Sequence, residues 1–433
     1  MKTITVIIIC LCSSLLFGQN YSLDELQKMH SAQDAEAFAM NPDSVYVLTL
    51  SEVDTIPSNI DQFKNLHSLS LFLCRNMNLD RELGKLKNNK KLIQLEIFVN
   101  DFKKFPEVIL EFTHLKSLTL AGMQFDTVPE AIKNIKNLEE LILGHPFCGG
   151  CHIMKLPSSL IELNKLRVLR LWGNTDLKTD KNFCKLPNLK ELDLSNLIYN
   201  LNDIISDFPN LENLDLTGTE LKSLDGIEKL KYLRTLAITY CDSLANLGKE
   251  FSRHDSLEEL DIYINKNLFS LNEFTKISKL PNLKKLKITL NNECQGRLPI
   301  PSSGFQKLNT LAFTALPDTK MDDLIKCISH IKSLQFLTLD DFKDKILSED
   351  LFSLRQLKGL ELQNMPLISI PKSIKKLELT SLKVWNIPLT DLPKELCEIE
   401  GLNYVYLGNT KLDPENAVIK KLLEKKVIVE IIK

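Results

Sequence analysis

The chain has 433 residues, of which 54 are basic and 56 acidic, so its formal net charge is only −2. So balanced a charge produces no overall field favouring nucleic acid or an anionic membrane, which argues against nonspecific binding to polyanions. A chain of this length normally folds as several domains, but one repeat runs through almost all of it without a Gly/Ser/Pro-rich linker. A single elongated solenoid is therefore the simpler interpretation.

Residues 1–19 have the composition of a secretory signal peptide. Lys2 precedes an uncharged apolar run from Ile4 to Phe17, and Gly18 and Gln19 follow it. The run is shorter than the ~20 residues of a membrane-spanning helix, so the sequence predicts cleavage near Gly18 or Gln19 and no membrane span. We expect the mature protein in the periplasm, at the cell surface or in the medium; an uncleaved anchor is the alternative.

Residues 20–44 are expected to form an N-terminal helical cap. Ser22 is a suitable N-cap with Glu25 three residues later. Apolar residues recur through the segment up to Met40, and Asn41-Pro42 would end the helix. A solenoid needs such an element to close its core against water.

From residue 45 to residue 412 one phrase recurs: an apolar residue, two variable residues, an apolar residue, one variable residue and another apolar residue. The mean spacing is (402 − 45)/15, or about 24 residues, within the range of solenoid repeats. Leu141 and Leu143 alternate around Ile142 with the two-residue period of a strand. The sixteen phrases open at Val45, Leu66, Leu92, Leu115, Leu138, Leu166, Leu189, Leu211, Leu233, Leu257, Leu283, Leu308, Leu334, Leu357, Leu379 and Leu402.

Each phrase should add one strand to a parallel sheet, and the residues after it should return behind the sheet. Proline suits the first position of a helical turn because its missing N–H has no partner there, so short α or 3-10 segments are expected in the returns. The framework leucines then point inward and are covered only when neighbouring repeats stack. Prolines occur in the returns at Pro57, Pro106, Pro129, Pro157, Pro371 and Pro393.

Residues 413–433 are predicted to form a C-terminal cap. Asp413-Pro414 would start a helix that extends to about Glu424, and Val427 to Ile432 has the pattern of a final strand. This element would close the other end of the core.

The chain resembles leucine-rich repeat proteins. The segment LKSLTLAGMQFDTVPEAIKNIKN, from Leu115, is similar to their 23-residue repeats, and LENLDLTGTELKSLDGIEKLKY, from Leu211, is similar to the 22-residue repeats of bacterial surface proteins related to the internalins. The resemblance implies an α/β fold, a leucine-rich repeat solenoid curved like a horseshoe, with a parallel β-sheet on the concave face and short α or 3-10 segments on the convex face. It also implies recognition, without identifying what is recognised.

The family places asparagine at the ninth position of the phrase, where the side chain bonds the backbone of neighbouring repeats. Few copies follow this rule here. Asparagine occupies the position at Asn100, Asn174, Asn265 and Asn291, and the resemblance makes Cys74, Cys241, Thr219 and Thr410 its substitutes.

The longest repeat, of 28 residues, contains the string HPFCGGCH from His145 to His152. Two cysteines followed by a histidine match the attachment pattern of c-type haem, and the thiols with both histidines have ligand types suited to zinc. In an oxidising compartment the glycines would instead let Cys148 and Cys151 close a local disulfide, which is the favoured interpretation. A redox, metal or haem site at Cys148, Cys151 and His152 is the alternative.

Nothing in the spacing of the remaining residues predicts catalysis. The seven histidines are scattered, no Ser-His-Asp or Cys-His arrangement follows from the sequence, and there is no phosphate-binding glycine loop. The sequence therefore predicts a non-enzymatic protein without a catalytic residue, a metal or a cofactor.

Large aromatic residues on the concave face are the candidates for partner binding, because solvent-facing aromatics need an explanation whereas polar residues do not. Arg167 and Arg170 flank Trp172. An acidic section follows from Glu191 to Asp261, and a basic row follows it at Lys284, Lys285 and Lys287. Such a surface suits a protein or peptide ligand, bound by a monomer; a carbohydrate ligand is the alternative. The aromatic candidates are Phe72, Phe98, Trp172, Tyr240, Tyr263 and Trp385.

Overall fold

The computed structural model describes residues 31–33, 41–98, 102–145, 148–177, 185–197 and 207–432. The chain folds into two compact units, unit 1 up to Leu177 and unit 2 from Lys178 onward. The predicted signal peptide, residues 1–19, lies outside the described residues. Within those ranges no helix is long and apolar enough to cross a membrane.

Unit 1 contains a parallel sheet in which every strand after the first begins two residues beyond the opening residue of a phrase. One row of inward leucines lies in register across it, including Leu48, Leu69 and Leu95, and all three are fully buried. The predicted strand period is therefore confirmed. The strands are β1 Ser31–Gln33, β2 Val47–Ser51, β3 Ser68–Phe72, β4 Gln94–Phe98, β5 Ser117–Ala121, β6 Glu140–Leu143 and β7 Val168–Arg170.

Unit 2 repeats the same construction, and its inward row includes Leu214, Leu236 and Leu260. Its last strand follows the final phrase and pairs in parallel with the strand before it. The strands are β8 Glu191–Asp193, β9 Asn213–Asp215, β10 Thr235–Ile238, β11 Glu259–Ile264, β12 Lys285–Leu290, β13 Thr310–Thr314, β14 Phe336–Asp340, β15 Gly359–Gln363, β16 Ser381–Trp385, β17 Tyr404–Gly408 and β18 Ile428–Ile432.

Most of the described returns behind the sheets contain short helical segments, as predicted, but the return between β12 and β13 has only turns and bends. Five prolines lie immediately before 3-10 helices and keep an extended backbone, one residue earlier than expected: Pro106, Pro129, Pro157, Pro371 and Pro393. The α-helices are α1 Leu79–Gly84, α2 Leu271–Ser278, α3 Met321–Ile328 and α4 Ala417–Glu424. The 3-10 helices are Pro42–Ser44, Ile60–Gln62, Glu107–Glu111, Glu130–Asn134, Ser158–Glu162, Ile227–Lys229, Phe251–Arg253, Glu349–Ser353, Lys372–Lys376 and Lys394–Glu398.

The N-terminal segment differs from its prediction where it is described. Residues Ser31–Gln33, expected within a helix, form β1 and pair in parallel with β2. The physical reason is that β2 would otherwise leave its edge N–H and C=O groups unpaired. The rest of the predicted helix before Asn41 lies outside the described residues.

At the C-terminus, α4 starts later than the expected Asp413. The side chain of Asn416 caps it by accepting a hydrogen bond from the Val418 N–H at 2.8 Å. Ile419 and Leu422 of α4 are buried, and β18 then continues the sheet.

Side-chain amides bond backbone carbonyl groups of the preceding repeat at two of the predicted asparagine positions. Asn174 Nδ2 donates to the Leu143 carbonyl of the preceding repeat, and Asn265 Nδ2 donates to the Cys241 carbonyl at 3.2 Å. Asn100 lies outside the described residues. These side chains thus donate hydrogen bonds to buried carbonyls that water cannot reach.

Thiol groups serve the same purpose at Cys74 and Cys241, as the resemblance implied, whereas the Thr219 hydroxyl bonds a carbonyl of its own repeat. Cys74 Sγ donates to the Leu50 carbonyl at 3.7 Å. Cys241 Sγ donates to the Leu216 carbonyl at 3.2 Å, and Thr219 Oγ1 donates to the same carbonyl at 2.7 Å.

Asn291 does not have the predicted role. Its amide points to Asp242 Oδ1 at 3.4 Å, and the inward donor of that repeat is Cys294, whose Sγ donates to the Ile264 carbonyl at 3.1 Å. β11 and β12 are six residues long, and the turn after β12 brings Cys294 inward instead.

Candidate recognition surfaces

Alternate residues of each strand point away from the leucine core, and together they form what we call the open face of the sheet. In β16, Leu382 and Val384 are buried, whereas Lys383 and Trp385 are exposed on the opposite side. The open face is the face predicted to carry the partner-binding aromatics.

In unit 1 two of these aromatics stack on each other. Phe72 and Phe98 are register partners on β3 and β4, and their ring centroids are 4.5 Å apart. Phe98 is only 4% exposed, because the His145 ring also packs against it in a T-shaped arrangement with ring centroids 5.4 Å apart. The expectation that Phe98 faces solvent is therefore wrong, while Phe72 stays half-buried.

His145 belongs to the turn that the longest repeat inserts. His145 N–H donates to the Gly149 carbonyl at 3.0 Å, and Gly122 N–H donates to that same carbonyl at 3.3 Å. Burial, with a smaller contribution from the positive charge of Arg170, lowers the pKa of His145. The structure thus brings Phe98, His145 and Arg170 into one region, which the sequence had treated as two separate sites.

Glu96 was not singled out from the sequence, although it lies on the open face of β4. It accepts hydrogen bonds from Ser70 Oγ at 2.8 Å and Gln94 Nε2 at 2.9 Å, and burial raises its pKa.

Trp172 follows β7 and is half-buried.

The predicted disulfide between Cys148 and Cys151 is absent, and both residues are unbridged thiols. Cys151 points inward, where its Sγ donates to the Leu120 carbonyl at 3.1 Å, and burial raises its pKa to about 12. Cys148 stays on the half-buried turn. The need to bond a buried strand-end carbonyl directs Cys151 into the core.

The same orientation bears on the haem and zinc alternatives. His152 is exposed and its Nδ1 lies 3.7 Å from the Asp176 carboxylate. Across the described ranges, no group of three or more His, Cys, Asp or Glu side chains could hold a metal ion. Cys148, Cys151 and His152 therefore do not form a ligand set there.

In unit 2 the acidic section and the basic row neutralise each other across adjacent strands. Lys287 Nζ lies 2.8 Å from Asp261 Oδ2, and Lys285 Nζ lies 2.7 Å from Glu259 Oε1. Lys284 pairs likewise with a glutamate at 3.0 Å. These charges link β11 to β12 more than they attract a partner.

Tyr240 and Tyr263 are in contact, as expected for adjacent repeats. Their ring centroids are 5.1 Å apart with an interplanar angle of 36°. Tyr240 is 64% exposed, and Tyr263 is half-buried beneath it.

Trp385 is supported by residues that the sequence interpretation missed. It is 39% exposed and stacks on Tyr406 with ring centroids 6.1 Å apart. Its register partner on β17 is Gly408, where an added Cβ would overlap Trp385 Cε3. A glycine opposite an aromatic residue is the sequence signal that could have revealed this arrangement; Phe336 opposite Gly359 repeats it.

A polar groove of about 510 Å³ lies next to Trp385, at the ends of β13 to β16. A chain of amides forms part of its wall: Asn386 Nδ2 donates to Asn364 Oδ1, and Asn364 Nδ2 donates to Asp340 Oδ1, both at 2.7 Å. Both oxygens of Asp340 are bonded, since Thr314 Oγ1 donates to the other at 3.1 Å. The lining residues are Thr314, Asp340, Asp341, Lys343, Asn364, Met365, Pro366 and Asn386.

Parallel strands at every phrase, inward leucine rows and short helical returns define the fold as a leucine-rich repeat solenoid, which solved leucine-rich repeat proteins share. No known family profile matches it. A solved leucine-rich repeat protein of Leptospira interrogans, LIC12759, is 25% identical, with 93% of this chain and 99% of that chain covered and a TM-score of 0.54. The structure of a TLR13–ssRNA13 complex, 17% identical with a TM-score of 0.55 over 94% of this chain and 65% of that one, shares the fold.

Curated relatives are similar over part of their length. The human volume-regulated anion channel subunit LRRC8B is 28% identical over 249 residues, which are 57% of this chain and 28% of that protein. Adenylate cyclase of Schizosaccharomyces pombe is 27% identical over 325 residues, 70% of this chain and 18% of that protein. The chain thus spans less than a third of either relative.

Proposed function

We propose that the protein is an exported, non-enzymatic recognition module of bacterial type, which binds a protein or peptide partner on the open face of its sheet. The signal-peptide pattern of residues 1–19 supports export. Similarity to the Leptospira protein over nearly the whole of both chains supports the bacterial type, as do the internalin-like repeats.

One observation carries the proposal: Trp385 stays 39% exposed although it is fixed by Tyr406 and Gly408. A rigid, half-exposed tryptophan loses little conformational entropy on binding and has a large area to desolvate, which is typical of the residues that dominate interfaces. The neighbouring polar groove can hold the polar groups of the same ligand.

The test is quantitative affinity capture from native membranes and culture medium. Trp385→Ala should weaken retention of the captured partner by about tenfold or more. The control is Ile368→Ala, because Ile368 is 62% exposed but lies in a return segment. Equal retention by wild type and Trp385→Ala, with unchanged melting temperatures, would reject the open face as the binding surface.

Carbohydrate binding is the second candidate, and the groove beside Trp385 favours it. Amide and carboxylate groups can bond sugar hydroxyls while an aromatic ring covers an apolar sugar face. A glycan array bound by wild type but not by Trp385→Ala, together with no protein captured, would select this alternative.

A further inference from the structure

Residues just after the strands take a left-handed backbone conformation in most repeats of unit 2. This conformation is inexpensive for glycine and tolerable for asparagine, but it is costly for a bulky residue. Tyr240 adopts it with φ of +53°. The residues in this position with positive φ are Asn196, Gly218, Tyr240, Asp341, Asn364, Asn386 and Asn409.

Core packing does not explain why a tyrosine occupies such a position. Tyr240 is 64% exposed, and its described ring contact is the neighbouring Tyr263 at 5.1 Å. Asparagine fills the equivalent position in later repeats, so the fold itself does not require an aromatic ring there. Backbone strain retained at an exposed residue motivates a search for function.

The surroundings of the two tyrosines are acidic. Burial raises the pKa of Tyr263, and Asp242 and Glu293 are among the groups that raise it further. Asn291 links these two carboxylate-bearing residues: its Nδ2 donates to Asp242 Oδ1 at 3.4 Å, and its Oδ1 accepts the Glu293 N–H at 2.8 Å.

The charges nearby do not fully cancel. Lys266 Nζ lies 3.0 Å from Glu293 Oε2, whereas the polar contact described for the Asp242 carboxylate is the neutral Asn291 amide. A negative charge therefore stays close enough to Tyr263 to raise its pKa, and it lies two residues after Tyr240. Elsewhere in unit 2, Lys190 Nζ lies 5.9 Å from the ring centroid of Tyr232, so an exposed tyrosine of this protein already accepts a cation.

We propose that Tyr240, Tyr263 and Asp242 bind the guanidinium group of an arginine side chain presented by the partner. Aromatic faces attract cations, the planar guanidinium stacks on them, and a carboxylate can bond its edge. This inference rests on the proposed function, and it adds a chemical requirement for the partner. Asn291, which the resemblance assigned to bonding the backbone of neighbouring repeats, then has the role of positioning Asp242.

The direct test is ¹⁹F NMR of protein labelled with fluorotyrosine, titrated with N-acetyl-arginine methylamide. Saturable shifts are expected for Tyr240 and Tyr263 but not for Tyr404, and Asp242→Asn should abolish them. N-acetyl-citrulline methylamide is the matched probe, because it keeps the shape of arginine and lacks the charge. Equal shifts with the citrulline compound, no shifts with the arginine compound, or stronger shifts with N-acetyl-lysine methylamide would each overturn the proposal.

Partner capture separates this inference from the proposed function. Tyr240→Asn should weaken retention of the partner about tenfold. It should not lower the melting temperature of the protein, because asparagine tolerates the left-handed backbone. Tyr240→Phe keeps the aromatic ring and should retain the partner as well as wild type. If Tyr240→Asn retains the partner fully while Trp385→Ala does not, the arginine site is wrong and the recognition function stands. If neither replacement weakens retention, both are rejected.

Discussion

At the scale of single residues, the inner edge of each sheet is closed by donors that reach the carbonyls of a preceding repeat. Amides do this at Asn174 and Asn265, and thiols do it at Cys151 and Cys294. A thiol is a weak hydrogen-bond donor. A weak hydrogen bond is still more favourable than a buried carbonyl left without any donor. The sequence located the two asparagines, yet it missed both cysteines because insertions in their repeats move them away from the ninth position.

The burial of Cys151 predicts its reactivity. Burial raises the pKa of this thiol to about 12, so almost no thiolate exists at about pH 8 and alkylation of the native protein should be negligible. Iodoacetamide labelling followed by peptide mass spectrometry should modify Cys151 only after denaturation. Rapid native labelling, or an intact mass lower by two hydrogens, would contradict the inward thiol.

At the scale of elements, two helices are tied to the preceding repeat by buried glutamates. Glu82 of α1 is 1% exposed and accepts the Ile56 N–H at 2.9 Å. Glu273 of α2 accepts the Leu247 N–H at 2.8 Å. Both bonds connect residues that only the stacking of repeats brings together, so the amphipathic pattern of each helix could not reveal them.

The Glu82 bond should make stability depend on pH. Burial would raise the pKa of Glu82, but hydrogen bonds from Lys85, Ile56 N–H and Arg81 lower it overall. A carboxyl whose folded pKa lies below its unfolded value stabilises the fold above the unfolded pKa, and this contribution disappears as the pH falls through the folded value.

Glu82→Gln should therefore lower the free energy of unfolding by about 1–3 kcal/mol near neutral pH. The difference from wild type should shrink as the pH falls below the ordinary range of a glutamate. Urea unfolding at several pH values measures both quantities. A difference independent of pH would show that the charge of Glu82 does not contribute.

At the scale of the whole molecule, stability comes from leucine rows that extend through each unit. Leu141 in unit 1 and Leu214 in unit 2 lie in register between leucines of adjacent strands and are buried. Each repeat is covered only by its neighbours, so a cavity in one repeat weakens the contacts on both sides.

Leu141→Ala and Leu214→Ala should each lower the free energy of unfolding by about 2–5 kcal/mol. The control Ile368→Ala should stay within about 0.5 kcal/mol of wild type, since that side chain is already exposed. Denaturant titration and thermal melts check both expectations. If both leucine variants melted at the wild-type temperature, the leucine rows would not form the core.

The candidate sites were only partly predictable. The contacts of Phe72 with Phe98 and of Tyr240 with Tyr263 follow from the periodicity, because a parallel sheet puts equivalent residues of adjacent repeats side by side. The burial of Phe98 was missed, since it depends on the inserted turn that carries His145.

The sequence by itself determined the solenoid, because a two-residue alternation repeated sixteen times can bury its leucines only when the repeats stack. Each of the sixteen phrases forms one strand, from β2 to β17. Only the tertiary structure decided that Cys151 is a core thiol, that Gly408 supports Trp385 and that Asn291 turns to Asp242. The reason is that each of these residues is positioned by a neighbouring repeat. Periodicity assigns a residue to a face of the sheet, whereas contacts between repeats determine what that face can bind.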